Sequence, residues 1–178
     1  MAEELPVELH ESIDRLAEKG NALMEMGSFA EAEAAFREGL ELLPPPLERW
    51  SATLWFLSSM GDAQWLAGAH DRGIDTWRDA LLYGGLGNPF VHLRRGQTLY
   101  ELGEQEEAAN ELFRALLIAG EEIFETEPEI YWQFITTVAK PPEGIPSWNG
   151  FPGIDEDSPL NAWLHDPNQY AFLPKDKG

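Results

Sequence analysis

Three segments of the chain superpose on one another without internal gaps, and this repetition limits the possible folds more than any single motif does. LAEKGNALMEMGSFAEAEAAFREGLELLP runs from Leu16 to Pro44, LSSMGDAQWLAGAHDRGIDTWRDALLYGG from Leu57 to Gly85, and HLRRGQTLYELGEQEEAANELFRALLIAG from His92 to Gly120. Each has a leading glycine, Gly20, Gly61 or Gly96, and seven residues later a second, Gly27, Gly68 or Gly103. Twelve residues after the leading glycine stand Ala32, Gly73 and Ala108; at sixteen a bulky apolar residue follows, Phe36, Trp77 or Leu112, and at nineteen a small one, Gly39, Ala80 or Ala115. A small residue midway along one helix lets another approach closely, a glycine permits the tight turn between them, and the bulky residue fills the gap.

The pattern in Gly20, Gly27, Phe29, Ala32, Phe36 and Pro44 resembles the tetratricopeptide repeat, a helix-turn-helix unit of about 34 residues. The resemblance covers roughly residues 12–120. Lys19 and Arg95 depart from it where the family prefers leucine, Gly73 replaces an alanine, and the ELLPPPLERWSA connection lengthens the first spacing. It implies an all-α solenoid of three helix-turn-helix repeats. Periodicity and punctuation predict helix pairs near 10–26 and 29–43, 47–67 and 70–83, and 88–102 and 104–124, with Pro44-Pro45-Pro46 as a hard stop and Gly120 as an open break. A seventh helix near 128–139, with Pro128 in its first turn and Thr126 or Glu127 as its cap, would cover the end of the stack. The expected organisation is a solenoid with capping helix over 10–140 and a tail over 141–178. That tail is rich in proline and lacks a helical period, yet Trp148, Phe151, Trp163, Tyr170 and Phe172 punctuate it. Disordered tails are poor in aromatics, so this one is expected to wrap the solenoid in extended form, its aromatics docking in the groove unless a partner's segment lies there.

Charge narrows the function. Twelve Lys and Arg face 32 Asp and Glu, a net −20. Residues 1–50 hold 12 acids and 4 bases, 51–100 four of each, 101–140 ten and two, and the tail six and two. Such a field opposes binding to nucleic acid or to an anionic membrane and favours a basic protein partner. It serves solubility equally well. There is no cysteine, which removes disulfides, thiolate zinc sites and cysteine nucleophiles together. No apolar run approaches a membrane span, and MAEELPVELHES is acidic where a signal peptide is basic, so a cytoplasmic protein without metal or cofactor is expected.

Little else points to chemistry. His10, His70, His92 and His165 have no second histidine three or four residues away, and nothing resembles a nucleophile elbow or a phosphate loop. His70-Asp71 and His165-Asp166 have the form of a metal-binding dyad, but the repeat pattern puts His70 at the start of a second helix, where caps and turn residues stand, and neither is assigned to chemistry; Asp155-Glu156-Asp157-Ser158, without the EF-hand glycine and terminal Glu, reads as a solvated acidic turn. No catalytic residue is assigned.

The family resemblance implies that the first helix of each repeat lines a concave groove. Carried over residue by residue, this selects Asn21, Met24, Trp55, Asp62, Trp65, Phe90, Gln97, Tyr100 and Glu101 as partner-binding, with Asp14, Ala17, Glu25, Ser58, Leu66 and Leu93 beside them. LAEKGN is similar to the class that clamps a C-terminal carboxylate, but Ala17, Leu93 and Gln97 occupy its basic positions, so that clamp is absent. Residues 90–127 are similar to a stretch in small bacterial repeat proteins associated with toxin loci, which implies an immunity protein or adaptor for a toxin. The acidic three-repeat plan is also similar to secretion chaperones. A hydrolase using Asp155, Asp157 or His165 is the reading from a different class.

Overall fold

The computed structural model describes residues 5–141 and 144–164, with only the backbone of Ala162 and Trp163. His165, Asp166, Tyr170, Phe172 and the Trp163 side chain lie outside the described residues. The helices are α1 (Val7–Glu25), α2 (Phe29–Glu41), α3 (Ser51–Leu66), α4 (His70–Leu82), α5 (Pro89–Glu101), α6 (Gln105–Ala119), α7 (Glu129–Val138) and α8 (Leu160–Leu164). Short 3-10 turns occupy Leu47–Arg49, Gly85–Gly87 and Glu121–Phe124, and no strand occurs among the described residues. The fold is all-α, a helical repeat of three helix-turn-helix units: α1–α2, α3–α4 and α5–α6. The chain divides into two compact units, Met1–Gly84 and Gly85–Gly178.

The repeated columns are packing contacts. A Cβ on Gly61 would fall 2.6 Å from the Trp77 ring, and one on Gly96 would fall 2.7 Å from Leu112; Gly20 stands in the same way against Phe36. The bulky residue of each second helix therefore occupies the space that the leading glycine leaves on the first. Gly27, Gly68 and Gly103 all have φ near +70 to +83°, the left-handed backbone that ends the first helix and turns the chain into the second. Trp77 is fully buried, so its ring has no room to retreat. Gly61→Val is expected to destabilise the first unit by about 2–3 kcal/mol through overpacking, a loss that valine's better helix propensity offsets by less than about 1 kcal/mol. Urea titration checks this, and an unchanged midpoint would refute the column's assigned role.

Several boundaries differ from expectation. The helix predicted from residue 47 starts at Ser51, because Trp50 is extended (φ −106°, ψ 119°). Trp50 Nε1 donates to the Pro44 carbonyl at 2.6 Å and Thr53 Oγ1 to that of Leu47 at 2.7 Å, which fixes the turn after the prolines. The helix predicted to reach residue 124 stops at Ala119, since Gly120 adopts φ 75°, ψ −164°, a region open essentially to glycine alone. Pro128 precedes α7 rather than standing inside its first turn, and neither Thr126 nor Glu127 caps it. The tail, expected to lack helix, forms the single turn and a half of α8.

In the second unit every residue from Ala108 to Leu117 is buried. Side chains on all faces of a helix are buried only when it is surrounded. Helix α5 packs on α6 from one side and α7 from another, and residues 148–154 supply further cover. Trp148 stacks edge-on against Phe113 with centroids 5.7 Å apart, contacts Phe151 at 5.2 Å, and donates from Nε1 to the Ala139 carbonyl at 2.7 Å. Backbone hydrogen bonds complete the seam: the Glu121 N–H donates to the Phe151 carbonyl at 2.8 Å and the Ile154 N–H to that of Leu117 at 2.7 Å. Trp148, named at the outset as a groove aromatic, thus sits on α6, the second helix of its repeat.

Candidate functional site

In the first unit the side chains selected on α1 and α3 are largely reachable. Asn21 and Glu25 are exposed, while Met24 and Ala17 are half-buried against the core of Ile13, Phe36 and Phe56. Asp14 is exposed and lies 3.4 Å from His10, one turn earlier. On α3, Trp55 is 40% exposed and Leu66 41%; Ser58, Asp62 and Trp65 are half-buried. Trp55 is held at its inner edge, meeting Phe36 at 5.6 Å and Phe56 at 5.0 Å in T-shaped contacts. It is a large side chain anchored at one edge, with 40% of its surface in water.

The second unit treats the corresponding residues differently. Gln97 and Leu93 on α5 are buried at 0% and 2% exposure, so neither is available to a partner. Gln97 Nε2 donates to Glu127 Oε2 at 2.8 Å, and the same oxygen accepts from Arg94 at 2.6 Å. Arg94 in turn lies 5.3 Å from the centroid of the half-buried Phe90 ring. Tyr100 is half-buried, edge-on to Tyr131 at 5.5 Å and Phe134 at 4.9 Å. Glu101 is exposed and accepts from the Tyr131 hydroxyl at 2.7 Å. Burial and the neighbouring Glu101 carboxylate push that phenol well above its ordinary value. Residues 127–134 thus occupy the face of α5 that the family resemblance assigns to a partner.

Two buried polar clusters were not anticipated. In the first unit Glu33 of α2 accepts from Gln64 of α3 at 3.0 Å and from Arg72 of α4 at 2.8 Å, and also pairs with Arg37. One carboxylate thereby ties three helices together. In the second, His92 of α5 is buried with both ring nitrogens facing acceptors: Glu111 Oε2 at 2.6 Å from Nδ1, and the Leu86 carbonyl at 2.8 Å from Nε2. Arg95 pairs with the other oxygen of Glu111. Burial alone would push the Glu111 carboxyl up, but the hydrogen bond and charge of His92, with Arg95 and Arg114, outweigh it and hold the carboxyl below its ordinary 4.5. Such a carboxylate is a structural anchor, fully engaged and closed to substrate.

Among the described residues the remaining chemistry-bearing side chains do not converge. Asp155, Glu156 and Asp157 are exposed, and His70 starts α4. Among the described residues no three His, Asp or Glu side chains form a metal-binding group, and no helix is long and apolar enough to cross a membrane.

Residues 59–122 match the family model of the tetratricopeptide repeat. The match takes in most of the second and third repeats, and the first repeat carries the same columns. None of the curated proteins compared with the chain matches it.

Proposed function

We propose that this tetratricopeptide-repeat protein is a non-catalytic protein-interaction module and that its partner is a basic protein. Repeats of this class present extended surfaces for protein binding rather than reaction centres. The observation that carries the reading is the anchored but exposed Trp55 ring, with exposed Leu66 on the same helix, in a stretch that is neutral overall and follows the acidic residues 1–50. Large rings fixed on one side and wet on the other are the usual centre of a binding hot spot. The net negative charge of residues 1–50 and of the chain as a whole would steer a positive partner. Within this reading, a cytoplasmic immunity protein or adaptor for a secreted bacterial toxin is the specific role proposed, supported by the likeness of residues 90–127 to proteins of toxin loci.

The test begins with affinity capture from the native host and mass spectrometry, followed by stopped-flow binding of the purified pair. Association is expected to slow by about tenfold or more between about 0.05 and 0.5 M salt, with dissociation changing far less. Trp55→Ala is expected to weaken binding by about 2 kcal/mol, mostly through faster dissociation. Association indifferent to salt would mean that the charge serves solubility. Intact affinity in a folded Trp55→Ala variant would remove α3 from the interface.

A further inference from the structure

A second, smaller feature of the Gly85–Gly178 unit has the chemistry of a receptor for one side chain. Phe124 and Trp132, with ring centroids 5.5 Å apart and planes at 52°, border a cavity of about 160 Å³ whose other walls are Glu121, Glu125, Glu127 and Glu129. Phe124 is buried beneath it and Trp132 is half-buried. Glu125 and Glu129 are exposed at its rim. The carboxylates are partly committed: Glu127 accepts from Arg94 and Gln97, Glu121 accepts from the Gly150 N–H, and Glu129 accepts from Gln133 Nε2 at 2.9 Å. Counting Arg94, the immediate surroundings still carry a net charge of about −3.

We propose that this cavity receives an arginine side chain of the protein partner. The sign of the carboxylates opposes an anion, and the Phe124 and Trp132 walls offer apolar surface that a compact, strongly hydrated cation would leave unused. A protonated guanidinium fits both walls, because its flat face stacks on an indole while its edge donates to carboxylates in pairs. A lysine ammonium would use the charge but not the flat aromatic face. The same unit already holds one guanidinium in this manner, Arg94 lying near the Phe90 ring and donating to Glu127. The proposal rests on the reading that the partner is basic, but it concerns a different surface from α3.

The test is an NMR titration of the whole protein with N-acetyl-arginine-methylamide, following the Trp132 indole N–H, with the lysine derivative and tetramethylammonium in parallel. A saturable shift at Trp132 is expected, severalfold tighter for the arginine probe than for the other two. Glu125→Gln and Glu129→Gln, both on exposed positions, should each weaken it by about two- to fivefold. No saturable shift at Trp132, equal binding of the lysine probe or tetramethylammonium, or indifference to both Gln variants would each overturn the proposal. These outcomes are independent of the partner assay. A salt-sensitive partner beside a silent Trp132 would sink the arginine site alone, and an arginine-responsive Trp132 without any basic partner would sink the preceding reading and the partner as the source of the arginine, while leaving the cavity's preference for a guanidinium.

Discussion

Glu111→Ala will lower the stability of the Gly85–Gly178 unit by about 3–5 kcal/mol, the usual cost of removing one member of a buried ion pair and stranding the rest. His92 would lose the acceptor at Nδ1 in the interior, and the half-buried Arg95 its counter-charge. Glu111→Gln keeps the shape and one acceptor, so its loss should be smaller. The two also differ from wild type in acid. The folded Glu111 carboxyl titrates below its unfolded value, so its contribution is fully present above the ordinary value of 4.5 and is lost as pH falls through the lower folded one. Urea unfolding of wild type across that range should show a decline that Glu111→Gln flattens. A parallel decline in both proteins would assign the acid sensitivity to other carboxylates.

Gly120→Val will release the segment that covers α6. Its backbone conformation costs a non-glycine residue on the order of 1–3 kcal/mol, and the added Cβ would land on the backbone of Phe151 and Pro152. If the segment is pushed off, Trp148 and Phe151 lose burial worth about 2 kcal/mol each. Amide exchange reads this directly. The Ile154 and Glu121 amides, hydrogen-bonded to Leu117 and Phe151, should be protected in wild type and exchange freely in the variant, while amides in the middle of α5 keep their protection. Retained protection at both amides would show that the seam tolerates a side chain at residue 120.

The helical pairing was legible because it rests on columns that recur, and Gly20 with Phe36, Gly61 with Trp77 and Gly96 with Leu112 are those columns in contact. What a repeat does not repeat was harder to see. The break at Trp50 depends on hydrogen bonds to carbonyls of the proline turn, which no periodicity announces. Gln97 and Tyr100 fit the groove pattern, but Glu127 and Tyr131, outside the repeat, engage them. The buried clusters had a signal that went unused. Four residues before the leading glycine stand Leu16, Leu57 and His92, and fifteen after it Ala35, Thr76 and Glu111. Two polar residues intruding into inward-facing columns of the same repeat must find each other, since neither can be buried alone. Gln64 departs likewise from a column otherwise held by Leu23 and Leu99, and its partner Glu33 from one that holds Ile74 and Ala109.

The cover on α6 also sets how the array may grow. The last helix of a stacked repeat ordinarily leaves an apolar side that another repeat, or another molecule, can extend. Here Trp148 and Phe151 already occupy part of that side, and the glycine at 120 is shaped around them. A fourth repeat grafted after residue 120 must first evict both rings, so a non-repeating segment of the chain, rather than the repeat itself, fixes the number of units.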